Sequence, residues 1–193
     1  MVMIHSEVEQ MADINKITEV ISMIAQILCF IAAVGTIVGG ILFMVIDVPK
    51  EIVTERILIN TCGMAITTVG LPYDQIIHVT GTGLILSGII YGLLGMIFRN
   101  VNLIVRTAQG GTWFSKGETP FQDDVVRMVR EIGIFCIGIF LVGLVGTSII
   151  EFIAEDVEAD NSILMLVIGI IMICLSKMFE YGKELQDAED GLI

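Results

Sequence analysis

The stretch VISMIAQILCFIAAVGTIVGGILFMVI, Val20 to Ile46, runs 27 residues without an Asp, Glu, Lys or Arg. A helix needs about 20 such residues to cross the hydrocarbon of a bilayer, so this one is long enough even when tilted. Two further runs behave alike, Val79 to Phe98 with 20 uncharged residues and Ile132 to Ile150 with 19. A fourth, Ser162 to Ser176, has 15. It spans if Lys177 lifts its ammonium to the headgroups while Met178 and Phe179 lengthen the apolar stretch. The alternative for that run is a half-buried or surface-lying helix, but it lacks the polar stripe an interfacial helix needs.

The rest of the chain agrees with a lipid environment. Of 193 residues, 55 % are hydrophobic and 17 % charged, too apolar a mixture for a soluble globule. A cleaved leader is not expected, because Glu7, Glu9, Asp13 and Glu19 outweigh Lys16 ahead of the first run, which is itself too long. Cys29, Cys136 and Cys174 fall within runs and Cys62 stands alone in a loop, so the four cysteines suggest neither a disulfide framework nor a metal knot. They read as small apolar packers.

The formal charge of −12 is unevenly spread. Arg99, Arg106, Lys116, Arg127 and Arg130 lie between runs two and three, whereas Glu151, Glu155, Asp156, Glu158 and Asp160 follow run three with no Lys or Arg among them. Basic loops stay in the cytoplasm. With Lys16, Lys177 and Lys183, eight of the ten basic residues fall on one side of a four-span chain. The expected architecture is all-α: a four-helix transmembrane bundle with both termini cytoplasmic and spans near residues 20–46, 79–98, 132–153 and 162–179. Residues 99–131 form a cytoplasmic loop, 154–161 an acidic outer loop and 180–193 a cytoplasmic tail. The outer loop 47–78 carries two Ile-, Thr- and Val-rich stretches, Arg56 to Cys62 and Ala65 to Leu71, around Gly63 and Met64. That pattern resembles a short β-hairpin on the outer surface, with an irregular or helical lid as the alternative.

Within the cytoplasmic loop, span two continues as a helix through Ala108, since Val101, Ile104 and Val105 keep an apolar stripe until Gly110 and Gly111 stop it. A new helix is expected at Thr119-Pro-Phe-Gln122: a hydroxyl cap, proline at the first helical position and a Gln at the third that bonds back. Asp123 and Asp124 then oppose the positive end of its dipole.

Chemistry-bearing residues are sparse. No ionisable group stands at mid-span, where a proton- or ion-coupled transporter would keep one, and Gln26 is the one strongly polar group there. His5 and His78 have no partner at ligand spacing, and no nucleophile elbow or phosphate loop occurs. No catalytic residue, metal or cofactor is therefore expected. Gly35 with Gly39, and Gly88 with Gly92, have the four-residue spacing that lets helix backbones approach closely, either within the bundle or in a homo-oligomer. Trp113, Phe114, Phe121 and Tyr181 lie near cytoplasmic helix ends, where they anchor at the interface or dock a partner.

Two stretches resemble a known family. Gly111-Thr-Trp-Phe-Ser-Lys-Gly-Glu-Thr-Pro-Phe-Gln-Asp-Asp-Val-Val-Arg-Met-Val-Arg-Glu-Ile-Gly133 is similar to the segment before the third span in the family called domain of unknown function 2975. The tail Phe179-Glu-Tyr-Gly-Lys-Glu-Leu-Gln-Asp-Ala-Glu-Asp190 resembles that family's closing pattern. Pro120, Phe121, Arg127, Arg130, Ile132 and Gly133 match in the loop, and Gly182, Leu185, Gln186 and Asp190 in the tail, while Leu192 stands where the family usually has Thr. The resemblance implies a prokaryotic four-span protein of the cytoplasmic membrane without established activity, associated with a small helix-turn-helix regulator. Its partners would be the lipid bilayer, that regulator and a second copy of itself, with no direct nucleic-acid binding. A small transporter or channel component acting as an oligomer is the alternative. Charge distribution alone makes one prediction: a membrane-impermeant reagent applied to intact cells labels a cysteine placed at Asp160 and leaves one placed at Gln109 unmodified.

Overall fold

A computed structural model describes residues 2–46, 56–113, 122–154 and 157–190. In chain order it has α1 (Val2–Val45), β1 (Arg56–Thr61), β2 (Met64–Val69), α2 (Tyr73–Ala108), α3 (Asp123–Ile153), β3 (Glu158–Asn161) and α4 (Leu164–Asp190). All four helices are long and apolar enough to cross a membrane. The chain is thus mostly helical, with one small sheet.

The helix ends follow local chemistry. α2 begins after Pro72, which cannot donate a backbone hydrogen bond, and Ile76 N–H donates to the Pro72 carbonyl at 3.0 Å. It ends where Gly110 takes φ +70, with Gly110 N–H donating to Thr107 O at 3.1 Å and Gly111 N–H to Arg106 O at 2.8 Å. That is a Schellman closure, and it stops the helix at the expected glycines. The start of α3 differs from expectation. Gln122 is extended, at φ −118 and ψ 148, so it caps the helix instead of forming its third residue, and Asp123 and Asp124 make the first turn. Thr119, Pro120 and Phe121 lie outside the described residues.

β1 and β2 form the expected hairpin, with its turn one residue earlier than the sequence suggested. Cys62 and Gly63 are the turn residues, and Gly63 takes φ +101, a conformation other residues rarely adopt. Met64 instead opens β2 and is fully buried. The acidic loop holds a strand that the sequence did not suggest. β3 pairs antiparallel with β2, Met64 opposite Asn161 and Thr67 opposite Glu158. Glu and Asp are poor strand formers, and pairing to an already formed hairpin overrides that preference. The sheet order is β1-β2-β3. Its Met64 and Ile66 share a buried cluster with Val79 and Ile90 of α2 and Ile139 and Ile150 of α3.

The helices pack in chain order, α1 on α2, α2 on α3 and α3 on α4, and no other helix pair makes more than marginal contact among the described residues. The four helices expected from the sequence are present, and they pack as sequential neighbours. Each pair is set by glycines. On α2, Gly81, Gly88, Gly95 and Asn102 recur every seven residues and meet α1 in antiparallel register. A Cβ on Gly40 would lie 2.7 Å from the Gly81 carbonyl oxygen, one on Gly88 2.9 Å from that of Ala33, and one on Gly95 3.0 Å from the Phe30 ring. The stripe closes with Asn102, whose amide donates to Glu19 O at 2.9 Å and Ser22 Oγ at 3.1 Å. α3 and α4 meet at Gly133 and Gly169, where a Cβ on either would lie 2.8 Å from the other's carbonyl oxygen.

Of the four glycines with four-residue spacing, Gly88 alone makes such a contact. A Cβ on Gly35, Gly39 or Gly92 meets nothing within 4 Å, so these three do not pack the chain's own helices. The reason is the period: a seven-residue stripe keeps one face turned to the partner helix, and Gly35, Gly39 and Gly92 lie off it. Gly40→Ala and Gly133→Ala should therefore destabilise by about 1–3 kcal/mol, because backbone atoms must move apart. Gly35→Ala and Gly92→Ala should stay within about 0.5 kcal/mol of wild type in detergent unfolding followed by circular dichroism.

A candidate docking cleft at the charged end of the helices

The end of the row away from the sheet is polar because four amphipathic helix ends converge there. Asp123, Val126, Arg127 and Arg130 are spaced three or four apart, so they share one face of α3. Glu180, Lys183 and Glu184 share a face of α4 in the same way. The antiparallel contact at Gly133 and Gly169 turns these two faces toward each other, and they line a cleft of about 220 Å³.

Charge is matched across it. Lys183 Nζ lies 2.7 Å from Asp123 Oδ1, and Arg130 lies 3.3 Å from Glu180 Oε2, which also accepts from Lys177 Nζ at 2.7 Å. Within α3, Arg127 reaches Glu131 at 3.5 Å and Asp124 at 3.7 Å. Glu131 also accepts from the amide of Asn100 at 3.0 Å, and Asn100, 2 % exposed, fixes α2 against α3. Arg106 and Glu19 join α2 to α1 at 3.5 Å. The hydrogen bond and charge of Lys177, with Arg130 adding its own, hold the Glu180 carboxyl below the usual carboxylate range.

The sequence-predicted residues distribute unevenly. Arg127 and Arg130 line the cleft. On α4, Gly182 and Gln186 are half-buried, Leu185 is 55 % exposed, and Asp190 is the last helical residue. Pro120 and Phe121 fall outside the described residues, and Trp113 is almost fully exposed. Sequence reasoning missed Asp123 and Lys183 as facing partners, and Glu180 as the acceptor joining Arg130 to Lys177. Its available signal was the three- and four-residue spacing on both helices, which shows a shared face but not which helix lies opposite. Among the described residues no three His, Cys, Asp or Glu side chains come together where they could hold a metal ion.

The fold and this cleft define the class as a helical membrane protein with a charged, grooved end. No family model matches the sequence, and no curated protein or solved structure is significantly similar to it.

The Glu180 interactions have a pH consequence. A carboxyl whose pKa is lower in the folded than in the unfolded state adds stability above the unfolded value and loses it as pH falls through the folded value. Wild type and Glu180→Gln should thus differ in melting temperature near neutral pH. That difference should shrink steadily as the pH is lowered into the acid range, measured by thermal unfolding in detergent.

Proposed function

We propose that the chain is a non-enzymatic protein of the prokaryotic cytoplasmic membrane that keeps both termini inside and uses its charged end to sense or sequester a cytoplasmic partner. The cleft between α3 and α4 is the observation that carries this reading. It joins Arg127 and Arg130 to a helix whose next exposed apolar side chain is Leu185, a mixture of charge and apolar surface suited to a protein partner. A net charge of −12 disfavours binding nucleic acid directly, so a protein partner is the simpler ligand. Resemblance of the Gly111 to Gly133 and Phe179 to Asp190 stretches to the domain of unknown function 2975 family supports a small helix-turn-helix regulator as that partner, with Pro120, Phe121, Gly182, Gln186 and Asp190 extending the docking surface.

A second reading, an oligomeric transporter or channel component, draws on one observation. Gly35, Gly39 and Gly92 have open space beside them, and the open row leaves the far face of α1 uncovered by the chain's own helices. Ion flux through reconstituted liposomes would favour it over the docking reading.

The docking reading is tested by pull-down of a helix-turn-helix regulator encoded beside the chain, using full-length protein in mild detergent. Wild type should retain the regulator. Arg127→Ala combined with Arg130→Ala, or Leu185→Ala, should cut recovery several-fold, and undiminished recovery would refute the docking surface.

A further inference from the structure

Contacts between elements give their relative heights. The hydroxyls of Thr61 and Ser87 share a hydrogen bond of 2.7 Å, and a Cβ on Gly83 would meet Ile59 and Ile66. Asn161 donates its amide to Phe140 O at 3.1 Å, and Ser162 N–H donates to Gly63 O at 2.6 Å. Ser87 stands eight residues inside the outer end of the Val79 to Phe98 run, and Phe140 ten inside the outer end of the Ile132 to Ile150 run. At 1.5 Å per residue the hairpin tip therefore lies roughly 12 Å below the outer end of the first run, and Asn161 roughly 15 Å below that of the second. Strands climb at most about 3.3 Å per residue, so the six residues of β1 are long enough to rise from that depth to the outer edge.

α4 begins where the sheet ends. Met165 packs 3.6 Å from the Cβ position of Gly63, and the register continues through Gly169 on Gly133 to Lys183 on Asp123. Leu164 is consequently level with Leu141, midway along α3, and α4 runs from there past the inner end of its neighbour. The sheet stands end-on over α4, in the space that the outer half of a fourth full span would fill.

We infer that α4 crosses only the inner half of the bilayer, and that the three-stranded sheet is a plug completing the outer half beside a recess open to water. Strand backbone at membrane depth persists only where protein or water meets it. Glu158 and Asp160, exposed on β3 just above Asn161, require that water, since carboxylates are costly to expose to hydrocarbon. Exposed Asn60 marks the same wet face on β1. Val34, 64 % exposed on α1 at a similar height, faces lipid instead.

Tryptophan depth tests this in the full chain, which has a single tryptophan. In a Trp113→Phe background, Leu164→Trp, Leu141→Trp, Val45→Trp, Val34→Trp and Asn60→Trp are reconstituted into phosphatidylcholine vesicles brominated at defined acyl positions. Leu164→Trp should be quenched most by deep bromines, as Leu141→Trp is, while Val45→Trp responds to shallow ones. Aqueous iodide should quench Asn60→Trp several-fold more than Val34→Trp. Shallow quenching of Leu164→Trp would overturn the inference, and so would iodide quenching Val34→Trp as strongly as Asn60→Trp, because the sheet would then lie above the bilayer. All the replaced side chains are exposed, and Ile163→Trp serves as a second probe of the α4 start should Leu164→Trp fail to fold.

Discussion

Apolar side chains gain little by leaving lipid for one another, so helices in a bilayer are held by close packing and by polar groups that hydrocarbon cannot satisfy. In this chain the close packing is backbone on backbone. Gly40 on Gly81, Gly88 on Ala33 and Gly133 on Gly169 bring helix axes together at contacts where a methyl group would collide with a carbonyl oxygen. Polar groups then close the end of each pair away from the sheet: Asn102 on Glu19 and Ser22, Asn100 on Glu131, and Lys183 on Asp123. Each of these contacts serves sequential neighbours, and the sheet packs on α2 and α3.

The spans were legible because uncharged runs of 19 to 27 residues admit few other readings. The Gly110 stop and the hairpin were legible too, since glycine and β-branched residues act locally. What failed depended on distant partners. β3 is strand because β2 lies beside it, although Glu158 and Asp160 argue otherwise. The four-residue spacing drew attention to Gly35, Gly39 and Gly92, while the helices use a spacing of seven, so Gly40 and Gly81 were overlooked as packing positions although Gly95, Gly133 and Gly169 could be named from the sequence as small residues for tight packing.

The same limit applies to the cleft. Arg127 and Arg130 could be singled out from the sequence, but the cleft also needs Glu180, which pairs with Arg130, and Lys183, which pairs with Asp123, both brought across by the Gly133 and Gly169 contact. Half of the proposed docking surface was therefore visible as residue types, and the geometry that makes it a cleft was not.

That geometry also bears on the docking proposed for the charged end. α3 and α4 are pinned near Gly133 and Gly169, where substitution forces backbones apart, whereas toward the end that carries the cleft they are bridged by ion pairs between partly exposed side chains. Exposed ion pairs contribute little to stability and exchange readily for other charged partners. A protein that brings its own charges to Arg130, Glu180, Asp123 and Lys183 can replace these bridges without disturbing the glycine contact above them. The tight contact holds the two helices together independently of the ion pairs at the end that carries the cleft.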